Sequence, residues 1–165
     1  NLLAEVLPSR LRALTLYVQS LLIPPRPVTL TAQQQQQGEQ LFFQAQCAQC
    51  HVPELKTGDA AAIPAQATVS VRAYTDLLLH DMGEELADHR PDFAADGREW
   101  RTPPLWGIGL LPQLNGHSDL LHDGRARSIT EAILWHSGEA QAARETFQGM
   151  SKSERELLVR FVEAL

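Results

Sequence analysis

The chain has 165 residues, enough for one domain with a small appendage. Its 14 Lys and Arg against 20 Asp and Glu give a net charge of −6, which argues against nucleic acid as a main partner. Apolar residues make up 44%, too many for a disordered chain, and no apolar run nears the roughly 20 residues that span a bilayer. Two cysteines exclude a disulfide-rich scaffold.

The chain starts at Asn1, and no basic stretch, apolar core and small-residue cleavage site is visible. Either a signal has been removed or the chain is a piece of something longer. Leu11, Leu14, Val18, Leu21 and Leu22 fall on one face of a helix, which reads as a packing face. The order Leu14, Tyr17, Val18, Gln19, Ser20, Leu21 recurs in type as Leu158, Phe161, Val162, Glu163, Ala164, Leu165. Residues 1–27 are therefore expected to be the closing helix of an upstream haem domain plus a stiff linker, Ile23-Pro24-Pro25-Arg26-Pro27. Residues 28–165 form the second unit, with the boundary near Pro27.

Thr31 with Gln34 predicts a capped helix from Ala32 to about Gln46. Gln33 to Gln37 amount to little more than one solvated turn of it, and Leu41, Phe42 and Ala45 give it an apolar side. Little periodicity follows from Val52 to about Arg72. Tyr74 to Leu79 reads as a helical turn or a short extended piece, and the proline-rich stretch from Asp88 to Pro104 as loop. Asp123-Gly124 marks a turn. Ser128 with Glu131 and Ser151 with Glu154 predict two more capped helices, the first running to His136. No alternating strand pattern of useful length exists. The expected fold is mostly α with long loops, and such loops need a large bound group to pack against.

Cys47-Ala48-Gln49-Cys50-His51 has the spacing that attaches haem c. Two residues between the cysteines put both sulfurs on one side of a helical turn, each able to form a thioether with a vinyl group. The next residue, His51, then lies under the ring as proximal iron ligand. A redox dithiol would normally follow a strand, and a zinc site would need further ligands beyond one Cys pair. The candidates for the second iron face are Met82, Met150, His80, His89, His117, His122 and His136. His89 sits in a charged stretch, His122 in a turn, and Met150 reads as packing.

Four ordered blocks accompany the CxxCH: Tyr74 to Gly83, Glu99 to Gly107, Leu121 to Arg127, and Glu131 to Ala140. Together they resemble the C-terminal haem domain of the di-haem thiol-oxidoreductase-like proteins, from about Leu30 to Leu165. These are relatives of the bacterial di-haem cytochrome c peroxidases and of the methylamine-utilisation di-haem enzyme. The resemblance implies a cytochrome c-like helical domain around one covalent haem c, with an electron-relay role in a di-haem peroxidase-like oxidoreductase. In the peroxidase relatives a methionine after the His-Asp-Gly turn binds the second iron face. His136 holds that place here, which implies iron between His51 and His136, with Met82 as runner-up. Arg101, Arg125 and Arg127 are candidates to pair with haem propionates. Trp100, Trp106 and Trp135 are candidates to pack on the ring or line an electron route, with plain packing the expected role of any single one.

The expected partner is a redox protein or the upstream haem domain. The expected location is the bacterial periplasm, because haem c is attached outside the cytoplasm. One alternative is a haem peroxidase or oxidase with an open iron site, using His122, His117 or Glu139 to handle protons. Another is a haem-free redox or metal module built on Cys47 and Cys50.

Overall fold

Local capping chemistry sets the two helices that build the core. The computed structural model describes residues 6–23, 25–26, 30–59 and 63–165. Helix α2 (Ala32–Gln44) begins where the Thr31 side chain accepts the Gln34 amide at 3.2 Å. Gln34 in turn accepts the Thr31 amide at 3.0 Å. Helix α6 (Lys152–Glu163) begins with the same reciprocal pair, Ser151 and Glu154. Each box satisfies two amides that a bare helix start would leave open.

These two helices pack against each other and against the ring of Tyr74. Phe42, Tyr74, Leu158 and Phe161 are almost wholly removed from water. The rings of Phe42 and Tyr74 lie 5.6 Å apart, those of Phe42 and Phe161 5.7 Å, and those of Tyr74 and Phe161 6.2 Å. Each such side chain contributes roughly 1.5–3 kcal/mol by burial. Close helix approach depends on Gly38, where a Cβ would lie 2.5 Å from the Phe161 Cβ.

Helix α4 (Ile129–Trp135) forms half of the expected box. Ser128 accepts the Glu131 amide at 3.1 Å, but the Glu131 carboxylate turns to the Arg127 amide. Two helices lie outside the expected set: α3 (Leu111–Asn115) and α5 (Gln141–Gly149). Neither has a side-chain cap; α3 has a proline in its first turn, Pro112, as its one start signal, and α5 has none. Met150 closes α5 and is buried in the core, as its packing role anticipated.

Two short antiparallel ribbons complete the architecture. Strand β1 (Leu55–Lys56) pairs with β2 (Ser70–Val71), and β3 (Leu79–Asp81) with β4 (Glu99–Arg101). Tyr74 to Leu78 is therefore irregular, with left-handed turns at Tyr74 and Leu77, and only Leu79 is in a strand; the 88–104 loop contains a strand. At two or three residues each, these strands are too short to show alternation.

Helix α1 (Pro8–Gln19) departs from expectation. It forms, but none of its residues is buried. Leu11, Leu14 and Val18 are each more than half exposed, so the helix does not pack as its apolar face suggested. The matching positions in α6, Leu158, Phe161 and Val162, are covered by α2. Among the described residues, no second surface of that kind covers α1. Pro24 and Pro27, with the expected boundary, lie outside the described residues. No helix is long and apolar enough to cross a membrane.

Candidate functional site

The end of α2 delivers the CxxCH. Gln46 adopts a left-handed φ of 63°, which ends α2 two residues before its expected limit. The chain then coils into a 3-10 turn over Cys47–Gln49, and the His51 amide bonds to the Cys47 carbonyl at 2.9 Å. Both cysteines are free thiols and half-buried. Burial pushes the Cys47 thiol up to about 12. Burial, with help from Asp76 and Glu139, also raises Cys50. Thiolates are thus disfavoured, which weighs against a reactive dithiol.

His51 is oriented from the core. Its Nδ1 lies 3.0 Å from the Tyr74 carbonyl oxygen. A carbonyl only accepts, so Nδ1 carries the proton and Nε2 keeps its lone pair. Tyr74 takes a φ of 54°, unusual for a bulky residue. Its ring is clamped between Phe42 and Phe161, which holds the carbonyl in place. Burial depresses the His51 pKa to about 4; the Tyr74 bond opposes this and His136 adds to it. The ring is neutral near pH 7.

His136 repeats the arrangement from another element. It caps the C-terminus of α4, with Nδ1 2.7 Å from the Ala132 carbonyl oxygen. Burial lowers its pKa as well. Its Nε2 is likewise left as a lone-pair donor. An imidazole whose Nδ1–H is fixed by a carbonyl is the usual supporting arrangement for a metal-ligating histidine.

A clasp holds the His136 segment against the 80–83 segment. The Ser137 hydroxyl donates to the Met82 carbonyl. Gly138, at a φ of 55°, lies so close to the Asp81 carbonyl that a Cβ there has no room. The Glu139 carboxylate accepts the Asp81 amide at 3.0 Å. Met82 is half-buried in this clasp, its own amide bonded to the Arg98 carbonyl.

Beside Cys50 stands a second, oppositely wired histidine. His80 Nε2 lies 2.8 Å from Asp76 and Nδ1 2.9 Å from Glu139. Both nitrogens must donate, so His80 is an imidazolium, and its pKa is raised chiefly by the Glu139 bond. Asp76 is held below the usual carboxylate range: burial pushes it up, but the Leu78 amide and His80 outweigh that. Ligand atoms of Cys50, Asp76 and His80 lie within 4.8 Å of one another, the one such metal-competent group among the described residues. With both ring nitrogens protonated, His80 has no lone pair for a metal.

The other histidines are engaged elsewhere. His89 pairs with Glu84 at the surface, as expected, and His117 pairs with Asp119. His122 donates to the Leu86 carbonyl at 3.0 Å and stacks on Trp100, with centroids 3.6 Å apart. The three arginines do not converge. Arg101 donates to the Leu77 carbonyl at 2.5 Å. Arg125 bonds Asp123 and the Glu85 carbonyl and lies 4.8 Å from the centre of the Trp135 ring. Arg127 pairs with Glu131 at the start of α4, the end away from His136.

The donor set suits an iron porphyrin. Two neutral imidazoles, raised by two different elements, offer Nε2 lone pairs, and two thiols stand at haem-attachment spacing next to one of them. Leu77, Leu78 and Leu134 flank Asp76 and His136 yet remain largely exposed, which leaves apolar surface for a ring to cover. Tyr74, Asp76 and Ser137 act in this site without having been singled out. Their signal was present only as part of the resemblance blocks.

Comparison with protein families agrees with this chemistry. A family model described as "Di-haem oxidoreductase, putative peroxidase" matches residues 10–165. No curated protein and no solved structure matches significantly. The match covers nearly the whole chain, CxxCH and both imidazoles included, and the chain belongs to the di-haem oxidoreductase family.

Proposed function

We propose that this chain is a c-type cytochrome domain that relays electrons within a di-haem oxidoreductase. In this reading one haem c is attached through Cys47 and Cys50, and His51 and His136 bind the iron. The observation that carries it is the pair of neutral imidazoles, each with Nδ1 tied to a main-chain carbonyl and Nε2 free. Bound haem would supply a one-electron ferric–ferrous couple.

The chain's residues do the rest. Tyr74 and Ala132 fix the two tautomers. Ser137, Gly138 and Glu139 hold the His136 segment, and burial keeps both rings neutral. Two imidazoles give a lower reduction potential than an imidazole and a thioether. Arg101, tied to the Leu77 carbonyl, is our first candidate for a propionate partner, ahead of Arg125 and Arg127.

The second haem of the family requires a second attachment motif, and this chain has one CxxCH. We assign it to another cytochrome c-like domain, with residues 1–27 as its closing helix and linker. The likeness of α1 to α6 supports that assignment. A periplasmic location follows from the chemistry of haem c attachment.

The test is the absorption spectrum of the oxidised and reduced protein, made in a host that attaches haem c. A six-coordinate low-spin spectrum without the methionine–ferric charge-transfer band supports His51 and His136. A methionine band moves the second ligand to Met82. A high-spin spectrum that changes rapidly with peroxide overturns the relay in favour of peroxidase chemistry at an open iron. The proton-holding cluster of Asp76, His80 and Glu139 is what favours that second reading.

A further inference from the structure

The negative charge of this chain is concentrated in one place. Residues 81–99 hold seven carboxylates against two arginines, so this segment accounts for five of the six net negative charges. The segment is a single excursion between β3 and β4. The Met82 amide bonds the Arg98 carbonyl at its base, the Asp88 amide bonds the Gly97 carbonyl midway, and Asp92 bridges Ala95 at its tip. Neighbouring cations offset only part of the charge. Arg144 reaches Glu85 at 3.6 Å, Arg98 braces Asp96 and Asp81, and Arg125 is spent on Asp123. Glu84 pairs with the exposed His89 and shares the field of Arg98, and among the described residues no ion pair covers Asp92.

At the tip of this acidic excursion stands Phe93, fully exposed. A lone exposed apolar residue needs no explanation. An aromatic ring at the centre of a charged rim, however, is the anatomy of a docking surface. The base of the excursion carries a second aromatic feature. Trp100 on β4 pairs with His80 on β3, so both side chains share one face of the ribbon. Trp100 stacks on His122, which is exposed. His80 belongs to the cluster that reaches Cys50. The acidic face and the haem-attachment motif are thus linked by one two-stranded ribbon.

We propose that the 81–99 excursion, with Phe93 and the His122 edge, is the docking surface for an electron-donor protein whose exposed redox centre is ringed by lysine or arginine. Charge complementarity steers the encounter, and Phe93 supplies the short-range apolar contact. One electron leaves the donor, which is oxidised, and enters the centre carried by this chain, which is reduced; no bond or proton need move. The electron-transfer part rests on the haem-relay reading, but the docking does not.

The test uses the full chain with haem attached, and a lysine-rich mitochondrial-type cytochrome c as the probe, both fully oxidised so that no electron flows. Binding is followed by calorimetry and by NMR shifts. The probe should bind, and its Kd should rise about tenfold between about 20 and 200 mM salt. The combined variant Glu84→Gln, Glu85→Gln and Asp92→Asn should weaken binding about tenfold at low salt and flatten the salt dependence. Phe93→Ala should weaken binding several-fold at every salt concentration and leave the slope unchanged. Neutralising Glu145 and Glu156, on α5 and α6, should change nothing. Equal binding of an acidic cytochrome, salt-independent binding, or equal loss in the α5 and α6 control overturns the proposal. Reduced probe then separates the two readings. Binding as expected with no electron passed removes the relay and leaves the docking surface standing. Electron transfer untouched by the combined variant removes the docking surface and leaves the relay.

Discussion

His51 and His136, on the one hand, and His80, on the other, are the same side chain in opposite states. Each of the first two gives one Nδ1 proton to a main-chain carbonyl and keeps an Nε2 lone pair. His80 meets a carboxylate at each nitrogen and must carry two protons. Burial pushes the first two towards neutrality, whereas anionic partners push the third towards charge. The partner therefore decides which histidine can be a ligand and which can only be a cation. A carbonyl selects a tautomer without paying for a charge; a pair of carboxylates stabilises the charge itself.

Substitution of the two proposed iron ligands breaks the comparison most sharply. In the protein with haem attached, His51→Ala should abolish normal ligation, and His136→Ala should turn a low-spin spectrum high-spin. His80→Ala should leave the low-spin spectrum in place. A low-spin spectrum unchanged in His136→Ala would remove His136 from the iron. Next in size is the frame that aims the Tyr74 carbonyl. Phe161→Ala deletes a wholly buried ring packed on Tyr74 and should cost about 3–5 kcal/mol in chemical denaturation. Gly38→Ala should cost about 1–3 kcal/mol by pushing α6 off α2. If either variant also perturbs the His51 resonances, the core and the ligand are coupled through that carbonyl.

These contrasts show what a sequence can carry. The caps at Thr31 and Ser151 were legible because a capping box is complete within four residues. The CxxCH is complete within five residues too, and its spacing alone raises the expectation of haem attachment. Helix α5 was not, because its start has no side-chain cap. The state of His80 depends on Glu139, 59 residues away, and no local pattern encodes such a bond. Tyr74 looked like a core aromatic and is one, but its functional atom is a carbonyl oxygen, which every residue has. Helix α1 shows the converse: the helix was legible, but the face read as packing is exposed, since an apolar stripe does not say which surface will cover it.

The pH dependence of stability separates the two kinds of histidine with a smaller effect. His51 has a folded pKa of about 4, below its ordinary 6.5, so the unfolded chain binds more protons between those values. Stability should therefore fall as pH drops from about 6.5 towards 4, and His136 acts in the same direction. His80 has the opposite sign. Its folded pKa is raised, so its contribution is complete below about 6.5 and is lost as pH rises through the folded value. Denaturation midpoints of the haem-free chain across this range should show both limbs. His51→Gln should flatten the acid limb alone, and His80→Gln the other alone.

The smallest effect is the most specific. Glu139→Gln keeps the shape of the side chain but has one acceptor oxygen in place of two: while that oxygen holds the Asp81 amide, an NH2 donor faces His80 Nδ1 where the carboxylate oxygen stood. Asp76 still favours the imidazolium, but the largest support of its second proton is gone, so the His80 pKa should drop. NMR titration of the ring protons reads this directly. Glu139 is half exposed, so water and salt screen the interaction and the global stability should hardly move. His136, three residues away, should keep its depressed pKa, because its neutrality comes from burial and not from Glu139. A parallel shift of both histidines would mean that they form one coupled group, and the division between ligand and cation would fall.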